Sequence, residues 1–506
     1  MSFTSPAFHI DRITVVGEEN EFVKMFDPQP VGASPALPER IDVTTLPIFP
    51  YNPANNTPNP RANPVPEIMQ ALGLGTVATP HTRHLDLLNG LRLDTWDGAK
   101  RINFFTIRDN DFGPGGTYPG PIVRTPRGAI FHGNLAGKGP PPHTIHWHGI
   151  EPTPMNDGVG HCSQEIGNYV YQWQPNFIGT YFYHCHRNTM QHFEFGLFSL
   201  LPIDPPDAYF SSIASVDPIT GAVTLNAIPV GASADPGDPK GWNYRTAANL
   251  LTLPANIQAK FPGFVGGDPV YGVAGPGDVG VGHPHAFTVP YDVEVIWVPD
   301  DRDSVWSDLA SNAFATFPVH GSIPGVNDNF KANPGSLNFF AFNDFHADYW
   351  WVTGVPVPAH LGGTGTINPS AAPPLGGIGG LAVPDGLIPA FANSGRSGSQ
   401  IAVNARVGQT ILIRCLGAAY NNIRVTLPVD AVCIAWDGRA LGVPPYGRYN
   451  EAYVIPANAM TFSVARRCDL LVKAEAPISS FAKIEFMETR GGAVTCTALI
   501  PFNIIP

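Results

Sequence analysis

Charge is what this sequence has least of. Asp, Glu, Lys and Arg make up 14% of its 506 residues, against about a quarter in an ordinary soluble chain. No basic block occurs and the net charge is −12. That balance argues against a nucleic-acid partner and suits a soluble protein that attracts cations. No apolar run reaches the length of a membrane span. The opening stretch, MSFTSPAFHIDR, lacks a basic segment followed by an apolar one, so no export leader is read there. The expected compartment is periplasmic or extracellular if a leader has been removed, and intracellular otherwise. Cysteine is scarce too. Cys162, Cys185, Cys415, Cys433, Cys468 and Cys496 are too few for a dense disulfide framework.

Glycine and proline are abundant, with 53 and 54 residues, which favours turns and short strands over helices. Residues 1–85 are Pro-rich and are expected to form an arm over a domain surface, because such segments make neither helix nor central strand. Residues 86–204 carry strand-like stretches, RINFFTIRD, IVRTPRGAIFHG, HTIHWHGI, YVYQWQP, GTYFYHCH and FGLFSLLPI, separated by turn residues in a Greek-key sandwich pattern. Residues 205–284 are Gly/Pro/Asp-rich and read as an irregular linker. Residues 285–506 resume alternating strands. The expected fold is therefore all-β.

Histidine is where the chain concentrates its chemistry. A window of 50 residues should hold about 1.6 of the 16 histidines by chance. The window 143–192 holds seven: His143, His146, His148, His161, His184, His186 and His192. Alternate residues of a strand share a face, so His146 and His148 point one way, and His184 and His186 likewise. Cys185 points the other way, as does His143 on a continuing strand. His192, after a short loop, is expected to return to the Cys side. His143, Cys185 and His192 then make the two-His, one-Cys set of a blue-copper centre. The weak axial position falls near Leu197, which cannot ligate, and loss of an axial donor raises the reduction potential. The four-imidazole face suits copper or zinc. The peptide bonds from Cys185 to its neighbours join the two faces.

HxxHxHG followed by HCH, a further His and an apolar axial position resembles the multicopper oxidases. TYPGPIVRTPRG (117–128), MNDGV (155–159), HCSQEI (161–166) and GTYFYHCH (179–186) extend the resemblance over roughly residues 95–203, in the family's order. It implies two cupredoxin-like domains, with type 1 copper at His143, Cys185 and His192. His146, His148, His184 and His186 would supply half of a trinuclear (type 2/type 3) copper cluster, assisted by Asp157 in oxygen reduction. The implied partners are a small-molecule or metal-ion reductant and molecular oxygen. Where the family places a His five residues after the Cys, this chain has Met190, and His192 comes seven after. The second half resembles the family's non-blue domain through NARVGQTILIRCLGA, IAWDG and RRCDLLV.

The other half of a trinuclear site is missing by motif. The second half holds His283, His285, His320, His346 and His360, with neither HxHG nor a second HCH. Three outcomes stay open: completion by another chain or a second copy, a reduced site of one or two coppers, or a type 1 centre alone. The functions left open are a laccase-like oxidase, a copper-binding or electron-transfer cupredoxin with a single blue site, and a structural or assembly protein that has kept the half-site. A nitrite-reductase-like arrangement, with His184 on a neighbouring catalytic copper, is a further alternative.

Overall fold

The computed structural model describes residues 81–110, 116–126, 131–138, 143–150, 156–159, 168–173, 179–186, 189–204, 254–261, 291–310, 345–368, 397–441 and 452–506, with short pieces between 51 and 288. Most of the Pro-rich arm and of the linker, together with His161, His283, His285 and His320, lies outside the described residues. What is described is mostly β, with a few short helices.

The first half is built from β1 (His81–Asp94), β2 (Arg101–Asp109), β3 (Phe131–Lys138), β4 (His146–His148), β5 (Asn168–Trp173), β6 (Gly179–His184), α1 (Thr189–Glu194) and β7 (Phe198–Asp204). One sheet runs β2-β1-β3-β5; the other runs from Thr125–Pro126 through β7 and β6 to β4. Between them lie Leu85, Leu87, Ile107, Phe131, Leu135, Trp147, Trp173, Tyr181, Tyr183 and Leu201, all buried. The sequence explains β6 directly. Every residue of GTYFYH is buried, because Tyr181 and Tyr183 enter this core while Phe182 faces a second apolar cluster. A strand covered on both faces reads as a continuous apolar run instead of alternating.

The second half contains β8 (Val293–Trp297), β9 (Pro299–Arg302), α2 (Ser304–Ala310), β10 (Tyr349–Val352), β11 (Val403–Arg406), β12 (Thr410–Leu416), β13 (Asn422–Thr426), β14 (Val432–Trp436), β15 (Tyr453–Val454), β16 (Ala459–Phe462), β17 (Arg467–Lys473), β18 (Ile478–Met487) and β19 (Val494–Ile505). In one sheet β8, β12, β17 and β14 are successive neighbours, with β15 on β14; the other includes β19, β18, β13 and β16, with β11 on β19. Their inner faces share one large core that includes Trp297, Trp350, Ile413, Leu470, Ile484, Phe486 and Phe502.

The halves meet over an apolar seam of Phe104, Tyr118, Phe182, Phe193 and Phe198 against Ile296, Val298, Trp351 and Leu416. Buried ions flank the seam. Glu294 accepts from Arg414 at 2.6 Å and pairs with Arg124. Thr180 on β6 donates to Asp469 on β17 and accepts from Arg414 at 2.9 Å. Tyr181 donates to the carbonyl of Gly438 at 3.0 Å.

Candidate metal centre

Register brings the histidines together. β4 and β6 pair antiparallel, with His146 opposite His184, Trp147 opposite Tyr183 and His148 opposite Phe182. Directly opposed residues share a face, so the imidazoles line one side and Trp147 and Tyr183 enter the core on the other.

Cys185 follows β6 and turns into that core. Its Sγ lies 3.5 Å from Nδ1 of His143 and 3.2 Å from Nδ1 of His192. All three residues are buried, and the three donor atoms lie within 4.8 Å of one another. Two backbone bonds set this geometry. The Cys185 N–H donates to the Leu197 carbonyl at 3.0 Å, and the Leu197 N–H donates to the His192 carbonyl at 3.0 Å. Leu197 is itself fully buried in the cluster that holds Cys185. His192 comes from the helix α1, not from the short loop expected after Cys185.

On the opposite face, Nδ1 of His146 lies 2.6 Å from the Asp157 carbonyl oxygen and 3.1 Å from Asp157 Oδ1. Nδ1 of His184 lies 2.9 Å from the Cys185 carbonyl. Each of these nitrogens must donate to its oxygen, which leaves Nε2 as a lone-pair donor on both rings. Nδ1 of His148 is 3.3 Å from Nε2 of His184. Donor atoms of His146, His148 and His184 fall within 4.8 Å of one another. The His186 ring stands beside them, 5.1 Å from His146 and 5.5 Å from His184. His346 and His360, the described spare histidines of the second half, are exposed. The His346 backbone donates to Asp303, and the His360 ring packs on Trp96.

Electrostatics favour neutral rings. Burial lowers His148 to about 3, helped by the charge of Arg467 and by His146 and His186. Burial also holds His184 well below its usual value and lowers His186, with His146 adding to it. Neutral imidazole is the form that binds a metal.

Arg467 was quoted in the sequence only as part of RRCDLLV. It lies over the Phe182 ring at 5.2 Å, and Phe182 stacks on His148 at 4.2 Å. Its guanidinium donates to the carbonyls of Ala465 and Asp437, so it is fixed in place. Glu194 escaped sequence reasoning altogether. It is buried at the end of α1, two residues after His192, with Arg302 Nη1 3.8 Å away and Asp300 on the far side of that guanidinium at 3.0 Å. Burial pushes Glu194 up and Asp300 up to about 6. No local motif signals a contact between residues a hundred positions apart.

A buried thiol facing two imidazole nitrogens is a donor set that fits copper in a blue centre. Residues 108–208, which contain every histidine described on both faces, match the multicopper oxidase family model. Over that segment the chain is similar to the multicopper oxidases, with a laccase and copper resistance proteins among its homologues. It is 31% identical over 124 residues to copper resistance protein A of Pseudomonas syringae pv. tomato, covering 24% of this chain and 20% of that protein. It is 33% identical over 121 residues to laccase abr2 of Aspergillus fumigatus, covering 23% and 19%. The matches therefore span about a fifth of the length of these curated relatives. Among solved structures, the blue copper oxidase from Nitrosomonas europaea aligns over 84% of this chain and 86% of that one, at 16% identity and a TM-score of 0.42.

Proposed function

We propose that this chain is a copper-dependent oxidoreductase of the multicopper oxidase type, laccase-like in taking electrons from a small-molecule or metal-ion reductant and delivering them to oxygen. The observation that carries the reading is the convergence of His143 and His192 on Cys185, whose two sequence neighbours put imidazoles on the opposite face. His143, Cys185 and His192 would hold type 1 copper, and His146, His148, His184 and His186 would hold a second copper site. Bound copper supplies reversible one-electron storage on the thiol side and oxygen-reducing capacity on the imidazole side.

The chain's own residues prepare both sites. Leu197, buried in the cluster that holds Cys185, would offer a bound copper no donor atom and would keep water from the sulfur. Asp157 fixes the tautomer and orientation of His146, the task that a carboxylate behind a metal-binding imidazole performs. The Cys185 carbonyl does the same for His184, so the residue that bears the thiol positions a side chain of the opposite face. Arg467 reaches over Phe182 of β6 from the second half, and burial together with its charge disfavours protonation of His148. In this reading residues 86–204 and 285–506 are two cupredoxin-like Greek-key domains, the first carrying copper and the second not, joined by a linker at 205–284.

One observation favours a second reading, an electron-transfer protein with a type 1 centre only. Among the described residues the second half brings no histidine to the imidazole face. Copper per chain and the visible spectrum, measured on one copper-reconstituted sample, separate the two. More than one copper with a blue band lost in Cys185→Ser supports the oxidase; oxygen uptake with a phenolic or metal-ion reductant completes the case. A single copper with the same blue band, and no oxygen uptake, supports the carrier. No blue band in the loaded protein rejects both. If copper loading rises with self-association, a second copy of the chain supplies the missing ligands.

A further inference from the structure

The second half carries a group of cysteines that the copper sites above do not use. Cys415 on β12 and Cys468 on β17 are direct cross-strand partners. Cys433, on β14, is opposite Leu470 and so stands diagonal to Cys468. All three side chains enter the same core between the two sheets, and all three are free thiols. Cys415 and Cys433 are both near enough to raise the Cys468 thiol. Direct partners have Cβ atoms about 4.5–5.5 Å apart and diagonal ones about 7–8 Å. The three sulfurs thus form a row across adjacent strands.

The row ends at the sheet edge. β15 is the last strand on that side of β14, and its Tyr453 lies opposite Cys433. Tyr453 is 38% exposed, and the Cys433 thiol donates to the Ala435 carbonyl at 3.7 Å. Among the described residues, Tyr453 thus stands at the edge end of the sulfur row.

We propose that Cys415 and Cys468, with Cys433 as the sulfur on the access side, form a second, all-sulfur site for copper(I). Soft thiolates select monovalent copper among the ions such a protein meets, and copper(I) accepts two-sulfur coordination that a directly opposed pair can provide. Binding is written Cys415–SH + Cys468–SH + Cu⁺ → bis-thiolate copper(I) + 2 H⁺, with no change of oxidation state. The bland alternative is that the three are small apolar core residues. Burial holds Cys433 up to about 12 and raises Cys468, so the metal-free thiols stay protonated until an ion displaces their protons.

The test uses the full chain carrying Cys185→Ser, which removes the blue-site thiol. The probe is copper(I) itself, added under reducing, anaerobic conditions with a competing chelator. The readouts are copper retained per chain and sulfur in the copper coordination shell by X-ray absorption. The expected result is about one retained copper(I) with sulfur neighbours, lost on adding Cys468→Val or Cys415→Val and weakened by Cys433→Ala, with far-ultraviolet dichroism unchanged. Copper(I) retained on nitrogen neighbours alone would overturn the proposal, because it would belong to the imidazole face. So would a Cys415–Cys468 disulfide in the anaerobically reduced protein, or no retained copper. If a double variant fails to fold, the coordination shell of Cys185→Ser alone still decides.

Discussion

A leucine side chain has no lone pair to offer, so Leu197, buried beside Cys185, leaves the sulfur with two imidazoles as its strong partners. Leu197→Met would supply a weak thioether donor of similar volume. The expected outcome is a lower reduction potential with the blue band retained, read by spectroelectrochemical titration. Gly158 makes the opposite kind of contribution, by having no side chain. Its φ is +71°, and an added Cβ would fall 1.8 Å from the Ile145 carbonyl oxygen, while its own carbonyl accepts from Thr144. Gly158→Ala should lower stability by at least about 1–3 kcal/mol from backbone strain and weaken copper retention, because the segment displaced is the one that presents His143 and His146. Thermal melts and dialysis against a chelator would show both. The titration of His148 has a definite sign. Its folded-state value of about 3 lies below that of the unfolded chain, so the unfolded state binds more protons between pH 6.5 and 3. Stability of the metal-free protein is whole above about pH 6.5 and falls as the pH drops towards 3. Melting temperatures from pH 7 to pH 4 should therefore decline, and copper-loaded protein should decline further by releasing metal.

At the scale of elements, the histidine pairs were legible because a strand has a period of two. HWH forms β4 and HCH begins at the last residue of β6, and the register of His146 with His184 follows once β4 and β6 are neighbours. RINFFTIRD likewise forms β2 without adjustment. The helix bearing His192 was not legible. TMQHFE is six residues long, too short for a helical hydrophobic pattern, and its place is fixed by backbone bonds through Leu197 that no spacing encodes. Nor could the sequence foretell that Thr180 and Glu294 would anchor the two halves, since their partners lie more than a hundred residues away in the chain. Glu294 is held below the usual carboxylate range by Arg124 and Arg414 against the effect of burial. Glu294→Ala would leave two guanidiniums buried without their carboxylate, and should cost about 3–5 kcal/mol in urea unfolding while leaving the β4–β6 register untouched. If the halves are held mainly by the apolar seam, the measured loss will fall well short of that range.

Across the whole molecule, the imidazole face lies at the boundary between the halves. Phe182 on that face belongs to the seam, and Arg467 reaches it from β17. This burial explains the neutral rings of His148 and His184. The thiol side, by contrast, lies within the first half's own core. The tryptophan between His146 and His148 sits on that inner side. Trp147 is fully buried, with Phe131 at 5.1 Å and Trp173 at 5.4 Å, so its indole sits in an almost purely hydrocarbon setting. Such an indole emits at short wavelength, and a paramagnetic copper ion bound by either neighbouring histidine would darken it. The chain thereby carries an optical gauge of its own metal content: the blue edge of its fluorescence should fade as copper is added and return on chelation, and Trp147→Phe should abolish that part of the change while leaving the copper in place.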